Sequence, residues 1–136
     1  MTREIIIAGF GGQGVMSMGK TLVEAGMAEG YNVSWVPSYG PEMRGGTANC
    51  AVVISDEPVG SPLVVQPNEL IAMNGPSLKK FEPHVEEGGL ILVNSSQALE
   101  KVHRTDVRAF YVPSMEEAGK LGNFKVANMV MLGAYI

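Results

Sequence analysis

A short apolar run, Ile5-Ile6-Ile7-Ala8, stops at a glycine-rich turn, Gly9-Phe10-Gly11-Gly12-Gln13-Gly14, and a helical pattern starts at Val15. This unit constrains the fold more than any other stretch. Residues 3–8 read as a buried strand. Between 15 and 29, Val15, Met18, Leu22 and Ala25 recur at helical spacing, with Gly19 and Gly26 on or beside that stripe. Small residues on a buried helix face let the helix approach a sheet closely, and Gly30 supplies a C-terminal stop. Strand, turn and helix in this order build an α/β unit, whose ligands bind beyond the carboxyl ends of the strands.

The rest of the chain continues the pattern. Strands are predicted at 33–36, where Pro37 ends the run, and at 47–55, 70–73, 90–94 and 110–112. The link from 36 to 47 is a turn-rich loop over 38–46 with no helix, which calls for an antiparallel pairing or an irregular crossover. Residues 56–68 carry Pro58, Pro62 and Pro67 and read as loop. Residues 77–87 read as helix or turn broken at Pro83. Ser114-Met115-Glu116-Glu117 has the spacing of a capping box that opens a helix. Residues 126–136 read as a Met-rich apolar helix. The resulting expectation is a three-layer α/β/α Rossmann-like domain over 1–136, with a mostly parallel sheet and one antiparallel strand allowed. The apolar end at Ile136 suggests a chain cut short at its C-terminus.

Composition narrows the function. A net charge of −4 opposes nucleic-acid binding, which needs a basic face. No apolar run reaches the ~18 residues of a membrane span. The one cysteine, Cys50, forms no internal disulfide and builds no thiolate cluster, so a reducing cytoplasm is the expected location. Cys50 reads as a small buried residue, and the 9 Met as core filling or an adaptable partner surface. His84, His103 and the pair Glu86 and Glu87 read as solvated surface, with no metal-ligand spacing.

Two phosphate motifs overlap in different registers. Gly9-Phe10-Gly11-Gly12-Gln13-Gly14 matches G-x-G-x-x-G between strand and helix, where free N–H groups and the helix dipole favour an anion. The strand ending Trp35-Val36-Pro37-Ser38 lacks the acidic residue that a dinucleotide ribose would need. A tight turn without ligand is the alternative. Gly14 to Thr21 also satisfies G-x-x-x-x-G-K-[ST], but the motif begins five residues past the strand. Lys20 would then sit roughly 9 Å into the helix at ~1.5 Å per residue. Asp56 is the best and a weak candidate for a magnesium ligand.

Pro37-Ser38-Tyr39-Gly40-Pro41-Glu42-Met43-Arg44-Gly45-Gly46-Thr47-Ala48-Asn49-Cys50 is the most specific stretch. Two glycines after an arginine let the backbone fold round while the guanidinium points at a planar anion. A surface loop with an internal Glu42–Arg44 pair is the other reading. Taken with Gly9–Gly14, the stretch resembles the gamma subunit, or gamma domain, of the 2-oxoacid:ferredoxin oxidoreductases, a group that acts on pyruvate, 2-oxoglutarate, branched-chain 2-oxoacids and indolepyruvate. Asn128-Met129-Val130-Met131-Leu132-Gly133 resembles a later helix of that family.

The resemblance implies a non-catalytic subunit that supports oxidative decarboxylation of a 2-oxoacid to acyl-CoA. Thiamine diphosphate, Mg and iron–sulfur clusters would sit on alpha, beta and delta subunits or equivalent domains, and ferredoxin would accept the electrons. No thiamine-diphosphate motif is present, and one cysteine cannot supply the four thiolates of a cluster. This chain would contact coenzyme A. Gly11, Gly12, Gln13 and Gly14 would offer N–H groups to its phosphates, and Arg44, followed by Gly45, a cationic contact. Ser38 and Tyr39 would add hydroxyl donors, and Glu42 would hold Arg44. Thr47-Ala48-Asn49-Cys50 leans by resemblance to 2-oxoglutarate or branched-chain enzymes. A free-standing dinucleotide- or nucleotide-binding Rossmann-like protein and a purely structural partner remain as alternatives.

Overall fold

The computed structural model describes residues 2–10, 14–39, 47–60, 64, 66–96, 98, 101–120, 122 and 131, with backbone only for Phe10, Ser38, Tyr39 and Thr47. The elements run β1 (Thr2–Phe10), α1 (Val15–Ala28), β2 (Asn32–Tyr39), β3 (Thr47–Ser55), β4 (Glu69–Ala72), α2 (Gly75–Phe81), β5 (Leu90–Asn94), β6 (Arg108–Val112) and α3 (Ser114–Lys120), with a 3-10 turn at Glu82–His84 after α2. The strands form one six-stranded sheet in the order β2-β3-β1-β4-β5-β6. β3 runs antiparallel to both of its neighbours, and β1, β4, β5 and β6 pair in parallel. This is the mixed, mostly parallel α/β sheet that the sequence predicts, with β3 as the reversed strand.

β1 lies inside the sheet, so its apolar run is buried on both faces. Ile5 and Ile7 join one core cluster with Val15, Met18 and Leu22 of α1. Ile6 and Ala8 join the other, with Leu78 of α2 and Val85. Alternation along one strand thus feeds two helix layers. Of the methionines, Met18, Met73 and Met131 are buried in core, while Met27 is exposed.

α1 ends as Gly30 predicts. Gly30 has φ 87, its N–H reaches the Met27 carbonyl, and the Tyr31 N–H reaches the Gly26 carbonyl. These two bonds close the last turn with a glycine in the left-handed region. Gly19 and Gly26 seat the helix on the sheet. A Cβ on Gly19 would stand 2.5 Å from Cys50 Sγ and 2.8 Å from Trp35 Nε1, and one on Gly26 2.9 Å from a Val33 methyl.

Three local expectations are corrected. β2 does not stop at Pro37 but continues to Tyr39. β2 is an edge strand, paired to β3 alone, and an edge tolerates a residue without an N–H. α2 starts at Gly75, ahead of the predicted helix, because the Asn74 side chain accepts from the Ser77 N–H at 2.9 Å and caps it. α3 does start at Ser114, but no capping box forms. The Ser114 hydroxyl donates to Asn94 Oδ1 at 2.6 Å, and the Glu117 N–H takes the Pro113 carbonyl instead. The apolar helix expected over 126–136 lies outside the described residues, apart from the buried Met131. No helix among the described residues is long and apolar enough to cross a membrane.

Candidate functional site

The register of three strands sets the site. Phe10, the last residue of β1, pairs with Thr47, the first of β3. Tyr39, the last of β2, pairs with the next residue of β3, Ala48. β1 and β2 therefore point the same way on either side of β3 and end level. The backbone leaves β1 towards residues 11–13 and leaves β2 towards 40–46 from one edge of the sheet. Two strand spacings of ~4.8 Å put these exits about 10 Å apart.

Of the predicted site residues, Gly14 is described in full. It precedes α1 with φ 75 and ψ 23, a left-handed conformation that suits glycine. The Met18 N–H bonds the Gly14 carbonyl, so the N–H groups of Val15, Met16 and Ser17 come before the first helical acceptor. The first turn of α1 carries no acidic residue that would oppose an anion there. Ser38 and Tyr39 are the last two residues of β2, at the same edge. Gly11, Gly12, Gln13, Glu42, Arg44 and Gly45 lie outside the described residues.

The competing phosphate-loop register is excluded by geometry. Gly19 is inside α1 and faces Cys50 and Trp35, and Lys20 is exposed on the helix flank. Asp56 follows the far end of β3, where Ser55 pairs with Thr2 and Asn32, so it lies at the opposite edge from Gly14. β2 contains no acidic residue, so the ribose anchor of a dinucleotide site is missing from the described strand.

Sequence reasoning missed a polar rim along the same edge. Asn74 follows β4, and Asn94 ends β5; both are buried. The Asn94 amide donates to the Met73 carbonyl at 3.2 Å, while its carbonyl oxygen accepts from Ser114 and from the Ser96 N–H. The fully buried Ser77 hydroxyl finds no partner among the described residues. The signal for the first of these was Asn74-Gly75-Pro76 directly after an apolar run, the layout of a capped helix start. Ser114 reads locally as a capping residue, and nothing in the local sequence pairs it with Asn94; the two meet only through the tertiary fold.

Cys50 lies under α1, fully buried, and its thiol points to the Val15 carbonyl at 3.6 Å. Burial pushes that thiol from 9.0 up to about 11, so it stays protonated at neutral pH. It suits neither a nucleophile nor a cluster ligand. His84 and His103 are exposed. Among the described residues no group of three metal-ligating side chains converges. A cleft of about 490 Å³ opens elsewhere, between α2 with its 3-10 turn and residues 101–104. Glu82 forms part of its wall, taking the N–H groups of His103 and Arg104 at 2.8 and 3.0 Å.

Comparison with known proteins bears directly on this arrangement. The family described as pyruvate ferredoxin/flavodoxin oxidoreductase matches residues 4–136. Ketoisovalerate oxidoreductase subunit VorA of Methanothermobacter thermautotrophicus is 54% identical over 93% of this chain, and the match spans 26% of VorA, about a quarter of its length. The solved gamma subunit of a keto/oxoacid ferredoxin oxidoreductase from Geobacter sulfurreducens is 31% identical, with a TM-score of 0.83 over 98% of this chain and 75% of its own. The 2-oxoglutarate:ferredoxin oxidoreductase of Magnetococcus marinus, solved with 2-oxoglutarate, coenzyme A and succinyl-CoA bound, shares the fold at a TM-score of 0.86 and 24% identity, over 98% of this chain and 23% of that one.

Proposed function

Since this chain belongs to the pyruvate ferredoxin/flavodoxin oxidoreductase family, we propose that it serves as the gamma subunit or domain of a 2-oxoacid:ferredoxin oxidoreductase and that its glycine-rich edge helps to hold coenzyme A. The reaction is oxidative decarboxylation of a 2-oxoacid, with the acyl group passed to coenzyme A and the electrons to ferredoxin. Thiamine diphosphate with Mg, held by partner subunits, supplies the carbon–carbon bond cleavage, and their iron–sulfur clusters carry the electrons. The buried, protonated Cys50 fits no cluster on this chain. Alpha, beta and delta subunits or equivalent domains complete the enzyme. A lone thiol without a disulfide suits the cytoplasm. The chain forms one gamma-type domain over 1–136.

The observation that carries the coenzyme A reading is the level end of β1 and β2 at one sheet edge. That edge brings the backbone leading to Gly11, Gly12 and Gln13, the left-handed Gly14 and the exit from Ser38 and Tyr39 to the same side. The N–H groups that precede the first helical acceptor of α1, with no side-chain cap among the described residues, and the absence of acid in its first turn suit a phosphate. Arg44 supplies the cation, Gly45 gives its loop room to turn, and Glu42 orients the guanidinium. The work of this chain is to bind and orient the thiol carrier. The similarity to a ketoisovalerate oxidoreductase subunit favours a branched-chain 2-oxoacid as the substrate of the whole enzyme.

Arg44→Ala in the assembled enzyme should weaken apparent coenzyme A affinity by roughly 10–100-fold, since a charge-assisted hydrogen bond contributes about 1.5–3 kcal/mol. Steady-state kinetics against coenzyme A, at saturating 2-oxoacid, reads this directly. An unchanged KM for coenzyme A would remove Arg44 from the site.

A further inference from the structure

The two edges of the sheet are built differently. β2 carries Pro37, which has no N–H to offer a neighbouring strand, and this blunts the edge. β6, Arg108–Val112, has neither proline nor glycine. Its inner side is fixed by hydrogen bonds. The Arg108 N–H reaches the Gly89 carbonyl at 2.8 Å, and the Val112 carbonyl accepts from the Ser95 N–H at 2.9 Å. Within a strand the N–H and C=O of one residue share a side, and the side alternates along the chain. Arg108, Phe110 and Val112 therefore face β5, and Ala109 and Tyr111 present their N–H and C=O groups to the outside. Among the described residues, no strand takes them. Between the two lies Phe110, 53% exposed, and Tyr111 is 37% exposed.

We propose that β6 pairs with β6 of a second copy of this chain, antiparallel, about a twofold axis at Phe110. The open positions are symmetric about that residue, which is the condition for a self-complementary edge. Ala109 meets Tyr111 of the second copy as a hydrogen-bonded pair, and Tyr111 meets its Ala109, so four backbone hydrogen bonds form. The two Phe110 side chains face each other in the closer, non-hydrogen-bonded position and cover one another's exposed rings. A large residue opposes a small one at each hydrogen-bonded pair. Arg108 lies opposite Val112 of the second copy, so within the paired strands no like charges stand directly opposite one another. Two five-residue strands bury less than the ~1,600 Å² of a standard interface, so the association is weak and concentration-dependent.

Sedimentation velocity of the full chain, from micromolar to near-millimolar concentration, tests this. The average mass should rise from 14.5 kDa towards twice that value. Ala109→Pro removes an outward N–H and spares the β5 ladder, and Phe110→Glu sets two carboxylates face to face. Each should weaken dimerisation at least about tenfold, with an unchanged far-UV spectrum. Phe110→Cys should form an intermolecular disulfide with oxidised glutathione, since opposed residues at such a position have Cα atoms about 4.5 Å apart, within disulfide reach. Arg108→Cys, opposite Val112, should not. A chain that stays monomeric throughout, dimers indifferent to both variants, or equal cross-linking at 108 and 110 would overturn the proposal.

Discussion

The two halves of the sheet hold their surroundings by different means. In the β2-β3-β1 half, α1 rests on the sheet through glycine. Gly19 sits against Cys50 and Trp35, and Gly26 against Val33 and Ile54, with no room for a methyl group at the tighter contact. In the β4-β5-β6 half, polar bonds do this work. Asn94 ties Met73, Ser96 and Ser114 together. Glu82 accepts two backbone N–H groups of the segment before β6, while Arg104 returns to the Glu82 and Val85 carbonyls and pairs with Asp106. One half depends on shape and the other on satisfied polar groups, so different substitutions should damage each.

The largest loss is expected at Asn94. Asn94→Ala strips the partner from the buried Ser114 hydroxyl and removes three hydrogen bonds, at a cost of about 3 kcal/mol. Thermal unfolding would register this as a drop on the order of 10 °C. A shift under about 2 °C would show that the polar half is held by packing after all.

The glycine half should reveal itself next, through pH. Below pH 9 the Cys50 thiol is protonated in both folded and unfolded chains. Between 9.0 and about 11 the unfolded chain gives up its proton first, so stability falls as pH rises. The loss approaches about 2–3 kcal/mol at the top of that range. Urea unfolding at pH 8 and pH 10.5, compared with Cys50→Ala, isolates the effect, since the variant should show a shallower slope. Equal slopes would mean that the space beneath α1 admits water.

Smaller still is Gly19→Ala. Overpacking costs roughly 1–3 kcal/mol, and better helix propensity returns about 1 kcal/mol. The net loss of about 1–2 kcal/mol should exceed that of Gly26→Ala. There the nearest groups are side-chain methyls of Val33 and Ile54 that can shift, and the two effects nearly cancel. Chemical denaturation of the pair gives the ranking. A reversed order would move the tightest helix–sheet contact from Gly19 to Gly26.

The contrast also explains what could be read in advance. The stripe of Val15, Met18 and Leu22 with its two glycines is local, and a helix face must repeat with the helix period whatever it packs on. The 47–55 strand was legible for the same reason, because its apolar residues are contiguous. Pro37 misled because a proline stops an interior strand but not an edge strand, and edge position is a property of the sheet. Ser114 misled because its hydroxyl had two partners within reach, and the fold supplied Asn94.

The sequence by itself determined the α/β class, the succession of β1 and α1 with Gly14 at the helix start, and the glycine face of α1, since each depends on neighbours within a few residues. Tertiary structure alone decided that β3 inserts between β1 and β2. That insertion brings the ends of β1 and β2 level on one side of the sheet. The full strand order and register depend on pairings as distant as Thr2 with Ser55 and Ile5 with Glu69, which no local spacing encodes.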